Sequence, residues 1–427
     1  MTDCAFLRAE KRKALINWYE SGFYKKDSLK YDTYENATIL PLKKQSGETL
    51  QFGKGGVIVE HDYISCSGIE GRVGGYYPYE SSDLLDQKVV YCGALIKQWG
   101  HFLVESVARL WYFLENDPTV DKYVFISNAS HFEAKNRIYG NYRQFFELLG
   151  IWDKIDVVAS PTTYREVVVP ELGYSRKYYY SDQYKSVFDR VRENALKKSE
   201  KTTAFDRVFL SRSKLEKARK NEIGIDLLDD YFQRNGYEIL YPESLSLTDM
   251  IGYLNRASVC AAESGTLPHN FLFCSDGKQV EIMERQTTIN EIQTNIDQIK
   301  SLNVTYVDAH FTIYPTLAGW GPYFIAYTKQ FSAFTKSRGY SPPDERFLTE
   351  KAIKKNLLSY MKEYKRSYGF EWGFEKWQLM YAKAYYEAYE ESLDCLRDYL
   401  DCSKPLFLKD YFTVSYIKKS IKKCLCK

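Results

Sequence analysis

Three stretches of the chain carry residue types that could do chemistry: two suit the binding of a phosphorylated ligand, and the third suits proton transfer. The first follows the apolar run RVFLSRS (207–213), where Arg212 stands just past a predicted strand and Arg219, Asn221 and Glu222 follow. In doubly wound sheets, ligands bind beyond the carboxyl ends of the strands. An arginine at that place can form a two-pronged contact with a diphosphate. A solvated loop with a helix cap is the alternative interpretation.

The second stretch, ESGTLPHN (263–270), joins a predicted strand to a predicted short helix through small residues. Gly265 lets the backbone approach a ligand, and the N–H groups from Thr266 onward attract phosphate. Glu263 can accept hydrogen bonds from ribose hydroxyls or a base edge, and His269 can donate one. An ordinary strand-to-helix turn capped by Thr266 would show the same residues.

The third stretch is the predicted helix GHFLVESVARLWYFL (100–114). His101, Glu105 and Arg109 follow one another at intervals of four, so they are predicted to share one face. A histidine or carboxylate that faces a cleft can take a proton from a hydroxyl group. An exposed stripe of ion pairs is the alternative.

Several kinds of chemistry lack their usual motif in this sequence. There is no Asp-x-Asp triplet for a divalent cation, no phosphate-binding loop of the GxxxxGK[ST] type and no GxSxG nucleophile turn. The remaining histidines, among them His61, His131 and His310, are isolated. We therefore predict a site without metal or cofactor, in which arginine, lysine and helix N-termini neutralise a leaving diphosphate.

The composition predicts a globular protein of more than one domain. The chain has 427 residues, of which 44% are hydrophobic and 27% charged, and a net charge of +3 is too small to indicate nucleic-acid binding. The nine cysteines are scattered and form no zinc motif. No signal peptide and no apolar run of about 18 residues appear. These features predict a cytoplasmic protein whose membrane contact, if any, is peripheral.

Predicted strands and helices alternate in two series, which is typical of α/β domains with parallel sheets. The stretch 181–204 is helical and then charged and poor in apolar residues, which indicates a boundary. We predict an α/β domain over 1–195, a nucleotide-binding Rossmann-like domain over 205–310 and a mostly helical extension over 311–427.

The end of the extension is basic. Its segment YIKKSIKKCLCK (416–427) sets lysines against apolar residues, and six lysines follow position 408: Lys409, Lys418, Lys419, Lys422, Lys423 and Lys427. Lysines near anionic headgroups contribute about 1 kcal/mol each. This pattern predicts peripheral binding to a membrane, and a solubilising terminal helix is the alternative.

Four segments, taken in order, resemble glycosyltransferase family 61. They are WGHFLVESVARL (99–110), LSRSKLEKARKNEI (210–223), YEILYPESLSLTDMIGYLNRASVCAAESG (237–265) and GTLPHNFLFCSDGKQVEIM (265–283). The resemblance is good over about 200–285 and thin over 95–115. One departure is clear: many members have His-Gly-Ala where this chain has Glu263-Ser264-Gly265.

The resemblance implies a GT-B fold, in which two Rossmann-like domains face a cleft, and an inverting reaction that needs no metal. It places the candidate catalytic residues His101 and Glu105 on the acceptor side. It places Arg212, Asn221 and Glu222 on the donor side. With the residues singled out above by type and position, the expected donor-binding set is Arg212, Arg219, Asn221, Glu222, Glu263, Ser264, Gly265, Thr266 and His269.

The expected function is transfer of a sugar from a nucleotide-sugar, with a UDP-sugar as the expected donor, to a lipid-linked polysaccharide acceptor in capsule synthesis at the inner face of the membrane. Two alternatives stay open at this point. One is a scaffold that kept the fold and lost donor chemistry, which the Glu263 departure motivates. The other is a different α/β enzyme acting on nucleotides or phosphates.

Overall fold

The computed structural model describes residues 2–44, 52–69, 72–80, 84–128, 130–199, 204–311 and 321–368. The basic segment 416–427 and its predicted membrane contact lie outside the described residues. No helix in these ranges is long and apolar enough to cross a bilayer.

The described elements alternate between strands and helices along most of the chain. In chain order the strands are β1 (Thr2–Phe6), β2 (Tyr24–Lys26), β3 (Tyr31–Lys43), β4 (Lys54–Val59), β5 (Asp62–Tyr63), β6 (Leu84–Ala94), β7 (Lys122–Ile126), β8 (Ile155–Val158), β9 (Thr162–Pro170), β10 (Tyr174–Ser175), β11 (Tyr179–Ser181), β12 (Arg207–Leu210), β13 (Glu222–Ile223), β14 (Glu238–Leu240), β15 (Val259–Glu263), β16 (Gln279–Glu284), β17 (Asn303–Asp308) and β18 (Tyr323–Phe324).

The helices are α1 (Ala9–Glu20), α2 (Trp99–His101), α3 (Gly140–Leu149), α4 (Asp182–Lys198), α5 (Glu216–Asn221), α6 (Asp226–Arg234), α7 (Leu247–Arg256), α8 (Glu291–Ile299), α9 (Lys329–Arg338), α10 (Glu345–Leu348) and α11 (Glu350–Tyr368). A π-helix spans Phe102–Ser106. The 3-10 helices are Ser65–Ser67, Leu110–Glu115, Lys135–Arg137, Trp152–Lys154, Pro242–Ser244 and Leu267–Phe273.

The sheet that concerns the site is wholly parallel. Its strand order is β1-β17-β16-β15-β12-β14. Its central strands are apolar and buried on both faces, as parallel strands between helices must be. Among the strands of this sheet, β12 is the first in the chain after β1. The next strand, β14, lies on one side of β12 and the following strand, β15, lies on the other side. The direction of winding therefore reverses between β12 and β15. This reversal is the place where open α/β sheets bind ligands.

Strand β1 joins this second sheet and not the first. It pairs in parallel with β17, with Thr2 opposite Val304 and Phe6 opposite Val307. The predicted boundary assigned residues 1–195 to the first domain, so this element departs from that expectation. The reason is a contact between residues far apart in sequence. Helix α1 packs against α8, and the hydrogen-bonded residues Tyr19 and Asp297 are about 280 positions apart.

The first sheet is mixed, with the order β5-β4-β3-β9-β6-β7-β8. Strands β6, β7, β8 and β9 run parallel to their neighbours in that set, whereas β3, β4 and β5 are antiparallel. The parallel strands β9, β6, β7 and β8 therefore fit the expectation of a Rossmann-like first domain, and the antiparallel strands do not. Strand β6 of the parallel part leads to the His101 segment. The fold as a whole is mixed α/β with parallel strands and many helices.

A layer of helices lies between the two sheets and shares one hydrophobic core with them. Helix α4 packs against both α3 and α7 and buries Tyr184, Val187 and Phe188. The ring of Phe188 contacts those of Phe145 and Phe273, which come from the two halves of the chain. The stretch predicted to separate two domains thus begins with a helix that joins them through apolar packing.

Candidate functional site

The reversal point of the second sheet brings together two of the predicted stretches. Leu210 at the end of β12 pairs with Ala262 in β15, so Arg212 and Glu263 emerge side by side at the carboxyl edge. Helix α5 follows Arg212 and returns the chain to this edge at Glu222, where β13 pairs with β18. The structure thus brings Arg212, Glu222 and Glu263 together at the carboxyl ends of these strands.

Arg212, Glu222, Glu263 and Arg285 form one charged group, which we call the arginine–glutamate cluster. Glu222 Oε1 lies 3.2 Å from Arg212 Nη1 and also contacts Arg285 Nη1. Arg285 Nη1 is 3.6 Å from Glu263 Oε1, and its guanidinium lies over the ring of Tyr323 at 4.1 Å. Both glutamates and Arg285 are buried, while the Arg212 side chain is 27% exposed.

Arg285 is the member of this cluster that sequence reasoning missed. It is the first residue after β16, the strand with the sequence QVEIME, so its position past a strand end was the available signal. Burial alone would lower the pKa of Arg285, but the charges of Glu222 and Glu263 raise it. Burial, followed by the charge of Glu222, raises the pKa of Glu263 well above its ordinary value.

The Ser264–Gly265–Thr266 turn supports this cluster. Ser264 Oγ accepts a hydrogen bond from the Arg285 N–H at 3.2 Å, and Ser264 N–H donates to Met283 O at 2.8 Å. Gly265 has φ = +125°, and a side chain there would collide with the Arg285 guanidinium. The lack of a side chain at Gly265 thus leaves room for the Arg285 guanidinium. The short helix predicted beyond Thr266 is a 3-10 helix of seven residues, and it has no side-chain cap.

His269 is buried beside Asn290. It is 5% exposed, its Nε2 lies 3.4 Å from Asn290 Nδ2, and its Nδ1 has no hydrogen-bond partner. Burial, with a smaller contribution from His101, lowers the pKa of His269 to about 3. It is therefore neutral at physiological pH, and it packs against the His101 segment.

Two other predicted donor residues lie at the rim. The side chain of Arg219 is 60% exposed and lies 3.7 Å from Asp226, so it faces solvent and not the cluster. Asn221 is the last residue of α5. Its side chain lies close to Gly321, since a Cβ atom on that glycine would be 3.2 Å from Asn221 Nδ2. Arg219 and Asn221 have different surroundings because neighbouring side chains on the helix α5 point in different directions.

The third predicted stretch is not one regular helix. Helix α2 passes into the π-helix Phe102–Ser106, whose wider turn changes the angular spacing of the side chains. His101 and Glu105 do meet, with Nδ1 and Oε1 3.1 Å apart. Arg109 does not share their face: it is 1% exposed and donates hydrogen bonds to the carbonyl groups of Pro170, Cys66 and Gly68.

Arg72 completes the group around His101 and Glu105. Its Nη1 lies 3.1 Å from Glu105 Oε2 and 3.1 Å from His101 Nδ1. The His101 and Glu105 side chains are 21% and 14% exposed, so both can reach a ligand. A cavity of about 450 Å³ opens beside Glu105 and Arg72 and is bounded on its far side by Tyr174 and Arg176. This volume is in the range of small-molecule sites.

Two contacts join the His101 segment to the Ser264–Gly265–Thr266 turn. Trp99 Nε1 donates to Asn270 Oδ1 at 2.8 Å. A side chain at Gly100 would approach His269 Nδ1 to 2.9 Å and Thr266 Cγ2 to 3.1 Å, so these two side chains lie against the backbone of Gly100. The group of Arg72, His101 and Glu105 lies on one side of this junction between the two halves of the chain, and the arginine–glutamate cluster lies on the other side.

A second buried charged group lies farther along the same carboxyl edge. Lys11 Nζ is 2.5 Å from Glu284 Oε2 and 3.5 Å from Asp308 Oδ1, and Arg8 Nη1 is 3.1 Å from His310 Nε2. Burial and the charge of Arg8 lower the pKa of His310 to about 3, so this histidine is structural, as expected. No three His, Cys, Asp or Glu side chains in the described ranges converge as metal ligands would.

Comparison with known proteins adds a family to this geometry. No curated protein matched the chain. Residues 99–281 match the model of the family Glycosyltransferase 61. The matched segment begins at Trp99, contains His101, Glu105, Arg212 and Glu263, and ends four residues before Arg285. The match supports the assignment of this part of the chain to glycosyltransferase family 61, and the family suggests a glycosyltransferase.

Proposed function

We propose that this protein is an inverting glycosyltransferase that takes a sugar from a nucleotide-sugar, with a UDP-sugar as the expected donor. The observation that carries the proposal is the arrangement at the reversal point, where Arg212 is the exposed cation of the arginine–glutamate cluster. An arginine beyond the strand ends suits a diphosphate, and the reaction then needs no metal to stabilise the leaving group. The two sheets would act as the acceptor and donor halves of a GT-B arrangement.

The acceptor hydroxyl would lie beside the group formed by Arg72, His101 and Glu105 and lose its proton to His101. Both oxygens of Glu105 have partners, since Oε1 faces His101 Nδ1 and Oε2 faces Arg72. Glu105 Oε1 and Arg72 Nη1 both lie 3.1 Å from His101 Nδ1, so the protein holds the ring by this atom and leaves Nε2 for the substrate. We therefore assign His101 as the base and Glu105 as the residue that orients it.

In the reaction, the acceptor oxygen would give its proton to His101 Nε2 and attack the anomeric carbon from the face opposite the nucleotide. The bond from that carbon to the diphosphate oxygen breaks, and its electron pair leaves with the diphosphate. Arg212 would stabilise the negative charge that develops on the leaving group. An interaction made only in the transition state lowers the barrier in this way.

The finer expectations are part of the same proposal. The acceptor would be a lipid-linked oligosaccharide of a capsule or other surface polysaccharide, extended in the cytoplasm at the inner face of the membrane. The hydroxyl-rich acceptor suits the polar walls of the cavity beside Glu105, where Arg72, Ser175 and Arg176 lie. The basic segment 416–427 would bring the enzyme to that surface.

The test has two steps. First, the purified protein is titrated with UDP-, GDP-, CMP- and dTDP-sugars, and transfer is measured with the donor that binds. Arg212→Ala should then lower kcat/KM about a hundredfold, whereas Arg219→Ala, which alters the solvent-facing arginine nearby, should leave it within about twofold. Near-normal turnover of Arg212→Ala would refute the assignment of the donor site.

The base is tested by the pH dependence of kcat/KM. His101→Ala should abolish the limb that reports the base, while Glu105→Gln should lower the rate and shift that limb, because the imidazole remains but loses its orienting charge. Loss of the limb in Glu105→Gln with retention in His101→Ala would reverse the two roles.

A non-catalytic scaffold is the second candidate. The observation that favours it is that Arg212 is already paired with Glu222, so part of its charge is used within the protein. Binding of a nucleotide-sugar without transfer to any acceptor, or binding of none at millimolar concentration, would favour the scaffold.

A further inference from the structure

We propose that Glu222 and Glu263 share one proton, so that the arginine–glutamate cluster has a net charge of +1 and attracts the diphosphate of the donor. This inference rests on the proposed function, because it takes a nucleoside diphosphate as the ligand. It assigns Glu263 the role of a neutral hydrogen-bond donor.

The geometry puts both carboxyl groups against the same nitrogen. Arg285 Nη1 contacts Glu222 Oε1 and lies 3.6 Å from Glu263 Oε1. Glu222 is 2% exposed and Glu263 is 1% exposed, so water does not screen the repulsion between them. Two carboxylates that share such a site cannot both remain charged without a large energetic penalty.

Unsatisfied oxygens point to the same conclusion. Glu222 Oε2 and both oxygens of Glu263 are buried and have no hydrogen-bond partner. A buried carboxylate without a donor is strongly destabilised. One proton on Glu263, directed at Glu222, supplies the missing donor and removes one negative charge in the same step.

The charged groups on the neighbouring elements agree with a cluster in which one of the two carboxyl groups is ionised and the other is neutral. Arg212 follows β12 and Arg285 follows β16, and these are the two cations. Tyr323 in β18 supplies a neutral ring beneath Arg285. Glu284 at the end of β16 is paired with Lys11. Burial, followed by the charge of Glu222, raises the pKa of Glu263, which agrees with a proton at this place.

The consequence concerns the ligand. With one carboxyl group neutral, the two arginines exceed the carboxylate by one charge, and the excess is presented at Arg212, the exposed member. With both carboxyl groups ionised, the cluster would be neutral and would attract a diphosphate less strongly. Affinity for a diphosphate should therefore fall as the pH rises and the shared proton is lost.

The proton can be observed directly by infrared spectroscopy of the ligand-free protein at pH 7. The spectrum should contain the carbonyl band of a buried protonated carboxyl group, and this band should be absent from both Glu263→Gln and Glu222→Gln. Asp297, whose pKa is raised to about 7, contributes a band of its own at this pH. Asp297→Asn is the matched control: it should remove only that band and leave the band that depends on Glu222 and Glu263. Thermal unfolding of each variant verifies that it is folded. A spectrum that does not change between the protein and Glu263→Gln would overturn the proposal.

Binding is tested by calorimetry with pyrophosphate, which has the diphosphate charge and no base. The ratio of the wild-type Kd to that of Glu263→Gln should rise at least threefold between pH 6 and pH 9, because the amide cannot ionise. The ligand's own titration is common to both proteins and cancels in the ratio. A constant ratio would overturn the link between the proton and binding. Absence of binding to pyrophosphate and to every nucleoside diphosphate, with the infrared band present, would instead refute the proposed function.

Discussion

The indole N–H of Trp99 donates a hydrogen bond to Asn270 Oδ1 at 2.8 Å, and this contact joins the two halves of the chain beside the candidate site. Trp99 begins helix α2 and stacks on Phe102, while Asn270 lies in the 3-10 helix after the Ser264–Gly265–Thr266 turn. The relative position of His101 and the arginine–glutamate cluster depends on this junction, which makes it testable by small substitutions.

Trp99→Phe should lower the free energy of unfolding by about 1–3 kcal/mol, because Asn270 is 2% exposed and its Oδ1 would lose its donor. Urea unfolding measures the change. Trp18→Phe is the comparison: its indole lies 3.4 Å from Asn295 Oδ1, a longer and weaker hydrogen bond than that of Trp99, and the change should be under about 1 kcal/mol. Equal losses in the two variants would show that the Trp99 contact has no special weight.

Gly100→Ala should destabilise the protein by about 1–3 kcal/mol, since the added methyl group would meet His269 Nδ1 at 2.9 Å and Thr266 Cγ2 at 3.1 Å. The double variant Gly100→Ala/His269→Ala removes the atom that is struck. We expect a favourable coupling energy of about 0.5–3 kcal/mol in the double-mutant cycle, measured by chemical unfolding. Strict additivity would mean that the two residues do not press on each other.

Lys11→Met should cost about 3–5 kcal/mol of stability, because it leaves Glu284 buried without its cation and leaves Asp308 with Arg8 alone. Lys13→Met, on the same helix but exposed, should change stability by no more than about 0.5 kcal/mol. Thermal unfolding distinguishes the two. A small effect of Lys11→Met would indicate that helix α1 is only loosely attached to the second sheet.

Asp297 gives a prediction for pH. Burial raises its pKa to about 7, against the opposing hydrogen bonds from Tyr306 and Gln293. The folded state then binds more protons than the unfolded state between about pH 4 and 7, so this residue's contribution to stability falls as the pH rises through that window. Relative to Asp297→Asn, the protein should lose on the order of 4 kcal/mol across it.

The buried His269 and His310 act in the opposite direction, since their pKa values are lowered to about 3 and their contribution to stability rises with pH up to about 6.5. They are common to both proteins and cancel in the comparison. Tyr306→Phe should move the midpoint of the pH dependence upward, because it removes a hydrogen bond to the charged Asp297. A difference between the protein and Asp297→Asn that is constant with pH would contradict this account.

The sequence predicted the features that depend on neighbouring residues. The strand of residues 259–263 and the cap of α7, where Ser246 Oγ accepts from the Asp249 N–H at 3.0 Å, follow from local pattern. The position of Arg212 beyond its strand also follows, because strand ends can be located from an apolar run. These local signals were enough to place the candidate site at one edge of the second sheet.

The parts that were missed depend on contacts between distant residues. Arg72 reaches Glu105 from a loop 33 residues earlier, and Arg285 reaches Glu222 from 63 residues later. The burial of Arg109 could not be predicted from regular helical spacing, because the π-helix before it changes the angle between successive side chains. Pairing partners and irregular turns are properties of the assembled structure, and one sequence does not reveal them.

The pairing of β1 with β17 has a consequence for biosynthesis. Residues 2–6 leave the ribosome about 300 residues before their partners at 304–307, an interval of about 15–60 s at ordinary rates of translation. During that interval the earliest strand of the chain has no native neighbour on the edge it will occupy. Completion of the second sheet, and with it the cluster of Lys11, Glu284 and Asp308, must follow the synthesis of nearly three quarters of the chain.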